Sequence, residues 1–328
     1  MKKKRWAIRT SILLGFTLSG LFLWLSLRQV DAQGLALTFA SIVFEPVILS
    51  ACALVGSMIL RALRWRLIAG MPRNDQRSFS RATYLGILVN LLFPGRIGEF
   101  VRVVTLAKLS RTTLALPLAS AVIDRLVDII VLIACASVLY FALPLNSALT
   151  GWFKYLLVGT AALSAGLAVF VKGVGYWENR IKSLTEQWLK RWSVRPDVFL
   201  SELRHELHGI LHGWITLEVA TVALAILVCD YLAVATLFLA IGIPLSALAP
   251  LLVLVCLAAG SMLPSAPGYV GVYQVAAVVA LAFFSQPPEK AIALATVLQL
   301  ISLGVAFAMN GRGAIGLARR ARSDEQIV

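Results

Sequence analysis

Long apolar runs separated by short polar stretches make up most of the chain. A transmembrane helix needs about 20 apolar residues. Runs near that length fall at about 10–28, 38–60, 84–107, 116–142, 151–171, 214–241, 247–263, 270–285 and 290–310. The pattern predicts an all-α polytopic membrane protein. Six of the runs read as full spans, and two segments, 84–107 and 247–285, are interrupted.

Composition agrees. Of 328 residues, 59% are hydrophobic and 14% charged, and the mean hydropathy is +0.86. A soluble protein would be about a quarter charged. These values exclude a soluble globular domain and a disordered chain. They also argue against a nucleic-acid binder, which needs its basic residues on a folded polar surface. Cys52, Cys135, Cys229 and Cys256 each lie inside an apolar run, without CxxC or zinc spacing. They read as small buried hydrophobes.

The net charge of +14 then becomes a topology signal. Cytoplasmic loops carry excess Lys and Arg. Lys2, Lys3, Lys4, Arg5 and Arg9 place the N-terminus inside, and Arg61 to Arg81 bring the chain back there after two spans. A cleaved signal peptide ending near Val30-Asp31-Ala32 is the alternative for the first span. If 84–107 crossed once, every later basic stretch would lie outside. A hairpin over 84–107 places 24 of the 30 Lys and Arg in the cytoplasm, with both termini there.

The hairpin is written locally as Asn90-Leu91-Leu92-Phe93-Pro94-Gly95-Arg96-Ile97-Gly98-Glu99. Proline and glycine end a helix there. Each arm has about ten residues, about 15 Å, which reaches only the middle of a bilayer about 30 Å thick. The second break reads Leu263-Pro264-Ser265-Ala266-Pro267-Gly268-Tyr269-Val270-Gly271. A hairpin or two short spans give the same topology there. Broken segments in corresponding parts of two halves are the pattern of inverted-repeat transporters; two unrelated packing kinks are the simpler reading. The chain is read as one integral-membrane domain over 1–328. Its first half is about 1–171, its connector about 172–213 and its second half about 214–328. The connector is amphipathic, with Trp177, Ile181, Leu184, Trp188 and Trp192 on one face. Beyond Pro196, Phe199, Leu203, Leu207, Ile210 and Trp214 form another. It reads as an interfacial surface connector, with a gate or docking site as the functional alternative.

Ionisable residues at membrane depth cost about 2.5–3.5 kcal/mol each on insertion scales. Here Arg96, Glu99 and Arg102 lie on the first hairpin, and Asp124, Arg125 and Asp128 lie early in the next span. Asp124 and Asp128, at i and i+4, share a helix face. In one reading the carboxylates pair with the arginines and hold the hairpin. In the other, Arg96, Arg102 and Arg125 meet a phosphate, to which guanidinium is well suited. Helix restarts near Gly98 and Gly271 add N–H groups that favour anions, unless the glycines merely permit close packing. Glu45, Glu218 and Asp230 are weaker candidates for proton relay. His205, His208 and His212 lack the company a metal site needs. No P-loop, GxGxxG or hydrolase triad is seen.

The motifs Asn90-x-x-x-Pro94-Gly95-Arg96-x-Gly98-Glu99-x-x-Arg102, Asp124-Arg125-x-x-Asp128 and Pro264-x-x-Pro267-Gly268-x-x-Gly271, in this order, resemble the lysylphosphatidylglycerol synthase transmembrane (flippase-like) family. Arg61-Ala62-Leu63-Arg64-Trp65 resembles that family's basic connector. The family usually has Glu at the position of Asp124, and often Glu at that of Gln274, so no role is carried onto Gln274. No lysyl-transferase domain accompanies the motifs. The resemblance therefore implies translocation of an anionic lipid, of phospholipid or polyprenyl-phosphate type, across a bacterial inner membrane. It implies neither catalysis nor a cofactor. Membrane lipids are the expected partners; a lipid-modifying enzyme and a homodimer stay open. The alternative is an integral-membrane enzyme or accessory subunit of lipid-linked sugar or hopanoid synthesis.

Overall fold

The computed structural model describes residues 17, 20–28, 30–94, 96–143, 196–211, 214–261 and 266–325. All regular structure among them is helical. Residues 20–27 are helical. The later helices are α1 (Ala32–Ala40), α2 (Phe44–Ile68), α3 (Gln76–Leu92), α4 (Gly98–Ser110) and α5 (Ala115–Ala142). They are followed by α6 (Pro196–Leu211), α7 (Trp214–Ile241), α8 (Ala249–Gly260), α9 (Val272–Ala282) and α10 (Pro288–Glu325).

Three of these helices are long and apolar enough to cross a membrane: α2, α7 and the Pro288–Gly311 part of α10. At a rise of 1.5 Å per residue they reach about 36 Å or more. Helix α5 has 28 residues and equal reach, but carries Asp124, Arg125 and Asp128. Its Ile130, Val138 and Phe141 are exposed, while Cys135, Ala136 and Leu139 are buried. An apolar outer face of this kind suits lipid. The expected span at 151–171, residues 10–16, 18 and 19 of the first span and the connector to 195 lie outside the described residues.

Both interrupted segments are helix pairs. Helices α3 and α4 flank a break at 93–97, with Phe79 and Ala82 sharing a core with Val103 and Leu106 and Gly86 meeting Gly98 nearer the break. Paired numbers that rise on one arm and fall on the other define an antiparallel hairpin. Its arms, 17 and 13 residues, exceed the expected ten, because the helix propagates through polar turns on either side of the apolar run. In the second segment α8 packs on α9, with Gly260 against Val272 and Ala276. These helices have 12 and 11 residues, about 18 Å and 17 Å long. Neither length crosses about 30 Å of hydrocarbon, which favours a hairpin over two short spans.

The contacts divide the chain into two compact units. One comprises 1–58, 83–101 and 228–328, and the other 59–82 and 102–227. In the first, Met58, Val305 and Ala306 pack with Leu54, Tyr84, Leu88 and Ile301. Polar ties cross between its helices: Ser57 donates to Asp230 at 2.6 Å, Ser50 to the Ala233 carbonyl at 2.9 Å, and Asn310 to the Tyr84 carbonyl at 2.9 Å. In the second, Trp65, Phe79, Val103, Leu106 and Ala121 form one core, and Ile68, Ala119, Ile123, Leu203 and Val219 another.

Helix α6 begins at Pro196, where proline suits a first helical turn. Its Phe199 and Leu203 pack onto α5, so at these two positions the apolar face lies against protein and not lipid. Trp214, expected on the same face, instead opens α7 and is exposed.

Candidate functional site

In the second unit the charged residues come from three helices. Helix α2 runs past its apolar stretch and carries Arg61 and Arg64 in its last turns. Helix α4 supplies Arg102, and α5 supplies Asp124, Arg125 and Asp128. Asp124 lies at the centre, with its side chain 3% exposed. Arg64, at 1%, sends Nε and Nη2 to Asp124 Oδ1 at 2.9 and 2.8 Å. Its Nη2 also reaches Asp128 Oδ1 at 2.5 Å. Arg102 Nη1 donates to Asp124 Oδ2 at 3.0 Å. Arg125 spans both carboxylates, at 3.3 Å to Asp124 and 3.0 Å to Asp128.

Aromatic packing fixes the cluster further. The Arg102 guanidinium lies 4.7 Å from the Trp65 ring centroid. Trp65 donates its indole N–H to Ser120 at 3.0 Å and meets Phe79 edge to face. Arginine is suited to such a position because its planar head can pair and stack together. Of the two sequence readings, ion pairing is seen for Arg102 and Arg125. Arg64 was missed. It was read as part of a cytoplasmic basic connector, yet it is among the largest fully buried side chains. The available signal was its place between Leu63 and Trp65 on a helix that had not ended.

In the first unit the breaks themselves are organised. Asn90 Oδ1 accepts the Gly98 N–H at 2.8 Å, and its Nδ2 lies 3.5 Å from Glu99 Oε1. A methyl group on Gly98 would overlap the Gly86 carbonyl oxygen, so glycine is required for this close approach. The next two N–H groups of α4 donate to the Arg96 and Ile97 carbonyls at 3.2 and 3.1 Å. An anion at this helix start would find the first three donors engaged.

Arg96 sits between the helices with φ +54°, a left-handed conformation that costs a non-glycine residue about 1–2 kcal/mol. Its Nη2 donates to Ser261 Oγ at 2.8 Å, at the end of α8. Its Nε is buried with no acceptor. Among the described residues no carboxylate pairs with Arg96. The second break approaches the first here, since the α-carbon side of Gly268 faces the Leu91 carbonyl.

That second break is clamped by two amides. Gln274 Oε1 accepts the Gly271 N–H at 2.8 Å, and its Nε2 donates to Gln299 at 2.7 Å. Gln299 in turn donates to the Gly268 carbonyl at 2.7 Å. Gly268 and Gly271 have φ of +69° and +84°, which glycine adopts without strain. Tyr269 and Tyr273 stack beside them, 5.2 Å between ring centroids. Pro267 opens the short 3-10 turn Pro267–Tyr269, and Pro94 lies in the first break. Gly95 and Pro264 are outside the described residues. Neither Gln299 nor Ser261 was singled out from the sequence, because single polar residues in apolar helices carry no pattern.

Of the weaker candidates, Asp230 accepts from Ser57, Glu45 lies in the first turn of α2 and His205 is exposed. No cluster of metal-ligating side chains occurs among the described residues.

A chain whose described regular structure is all helical, with apolar outer faces, interrupted helical hairpins and an arginine–aspartate cluster, is a polytopic membrane protein. Within that class it belongs to the family described as the lysylphosphatidylglycerol synthase TM region, whose model matches residues 12–309. The family ties the chain to membrane lipid. No curated protein and no solved structure matches it.

Proposed function

We propose that the protein translocates an anionic lipid, of phospholipid or polyprenyl-phosphate type, across the bacterial inner membrane, with both termini in the cytoplasm. Arg96 is the primary phosphate ligand. One observation carries this reading. A guanidinium stands where two helix breaks meet, with a buried Nε lacking an acceptor and no carboxylate partner among the described residues.

Arg102 and Arg125 play a second part, joined to Asp124 and Asp128 in the other unit. There an arginine shared between a carboxylate and a passing phosphate would exchange partners without being left bare. Glu99 supports the first break through Asn90. Rearrangement of the interrupted segments gives alternating access, as in transporters built from broken helices. The chain acts as a translocator and not as an enzyme in this reading.

The test is transport by purified protein in liposomes. Labelled phosphatidylglycerol and a labelled polyprenyl phosphate are placed in one leaflet, and their arrival in the other is followed. Wild-type protein accelerates exchange of at least one. Arg96→Ala reduces that rate to near the protein-free level, and Arg96→Lys retains part of it. Normal exchange by Arg96→Ala removes Arg96 from the mechanism.

A further inference from the structure

Ser261 caps the C-terminal end of α8, and its hydroxyl is fully committed. Its hydrogen goes to the Ala258 carbonyl at 2.7 Å, and its oxygen receives Arg96 Nη2 at 2.8 Å. The backbone N–H of Ser261 returns to the Leu257 carbonyl at 2.8 Å. The oxygen is therefore held in place, with a lone pair turned to the guanidinium. The C-terminal end of a helix also carries partial negative charge. Arg96 thus rests against a neutral hydroxyl and a helix end, in place of a carboxylate.

A single oxygen cannot satisfy this side chain. Nε and Nη2 lie along one edge of a guanidinium, and a phosphate binds such an edge through two parallel hydrogen bonds. Ser261 satisfies Nη2 alone, and Nε stays buried without an acceptor. The hydroxyl thus stands at the place of one phosphate oxygen, with the place of the second unfilled.

We propose that Ser261 is a placeholder for the phosphate. A phosphodiester or phosphomonoester oxygen pair arriving at Arg96 takes Nε and Nη2 together and displaces the serine, which unfastens the first helix break from the end of α8. Headgroup binding is thereby coupled to separation of the two interrupted segments. This rests on Arg96 as the phosphate ligand. It adds a positioning residue that competes with cargo, and a reason for the breaks to part only when cargo is present.

Competition has a distinctive sign. Removing a residue that merely positions Arg96 would weaken binding, whereas removing a competitor strengthens it. Binding is measured on purified full-length protein in detergent, with dioctanoyl-phosphatidylglycerol in one series and inorganic phosphate in another. Ser261→Ala is expected to bind the lipid about ten- to 150-fold more tightly than wild type, the range of one hydrogen bond to a charged group lost from the competitor. Ser261→Thr keeps the hydroxyl and matches wild type. Arg96→Ala binds neither probe. Tightening for both probes identifies phosphate itself as the determinant, and tightening for the lipid alone identifies the phosphate as carried by a lipid.

Unchanged or weaker binding by Ser261→Ala overturns the proposal, as does Ser261→Thr behaving like alanine or a wild type that binds neither probe. The transport reading is judged apart from this. Tightening without translocation in liposomes sinks the flippase and leaves the placeholder. Translocation that depends on Arg96, with unaltered affinity in Ser261→Ala, does the reverse.

Discussion

Asp124→Asn is the sharpest perturbation available in the second unit, because it removes a charge and almost no volume. Four guanidinium nitrogens approach the wild-type carboxylate, two from Arg64 and one each from Arg102 and Arg125. An amide has one oxygen, so its NH2 must face a donor from Arg64 or from the Arg102 side. Taking one partner from a buried ion pair costs about 3–5 kcal/mol, since the surviving charge stays in a medium that solvates it poorly. Arg64 keeps Asp128 at 2.5 Å, and Arg102 keeps the Trp65 ring. These contacts hold the expected loss near the lower limit, about 3 kcal/mol. At about 2 °C per kcal/mol, the unfolding temperature falls by roughly 6 °C. The assay is thermal unfolding in mild detergent, read by a thiol-reactive dye in a background with exposed Cys52 and half-buried Cys229 and Cys256 replaced by serine, so that the signal reports Cys135, which is buried in α5. Asp128→Asn is the control. Its side chain is 27% exposed, and its loss is expected at about 1 kcal/mol, nearer to surface pairs. If Asp124→Asn melts within 2 °C of wild type, or no lower than Asp128→Asn, the cluster does not brace these helices.

Three further outcomes are expected. Gly98→Ala drives a methyl group into the Gly86 carbonyl and the Asn90 side chain; it should cost about 1–3 kcal/mol or more and reduce translocation, and a wild-type melting temperature would refute the close approach. Gln299→Leu leaves the Gly268 carbonyl and one Gln274 N–H without their partner, a loss of about 1–3 kcal/mol visible in the same melt. Glu206, on α6, has a carboxyl that burial, helped by neighbouring Glu202, pushes up to about 9 from 4.5. The native state then holds a proton that the unfolded chain releases, so Glu206 weakens stability progressively as pH rises from about 4.5 to about 9. Glu206→Gln should remove that slope, melting with wild type near pH 4.5 and above it at pH 8; parallel pH profiles would count against a buried carboxyl.

The hairpins were legible because their cause is local. Proline and glycine at 94, 95 and 98, and at 264, 267, 268 and 271, end helices wherever the rest of the chain lies. Helix α7 was legible because its apolar run and its helix coincide at 214–241. Arg64 was not, since burial of a charge depends on a carboxylate that arrives 60 residues later in the chain. Hydropathy places the end of a span where apolar residues stop. A helix whose next turn is stabilised by ion pairs continues, and α2 runs on to Ile68. Ser261 and the two glutamines share the difficulty, for each matters through a partner remote in sequence. The pairing of Arg102 and Arg125 with the aspartates was one of two sequence readings, resting on equal numbers of opposite charges in apolar surroundings; Arg96, counted in that balance, pairs with no carboxylate among the described residues.

The order in which Arg64 and Asp124 are synthesised bears on how the chain enters the membrane. Helix α5 carries three charged residues, so its independent insertion is penalised, at about 2.5–3.5 kcal/mol for a central charge. Its neutralising partner is on α2, which leaves the ribosome earlier. At about 5–20 residues per second, Arg64 waits several seconds for Asp124, beside a lipid surface that tolerates a basic helix end. The aspartates then emerge after their cation has already been made. Biogenesis therefore favours the sequence order cation first, anion second. An Arg64→Leu chain should show its fault as α5 left stranded at the insertion machinery, before any question of folded stability arises.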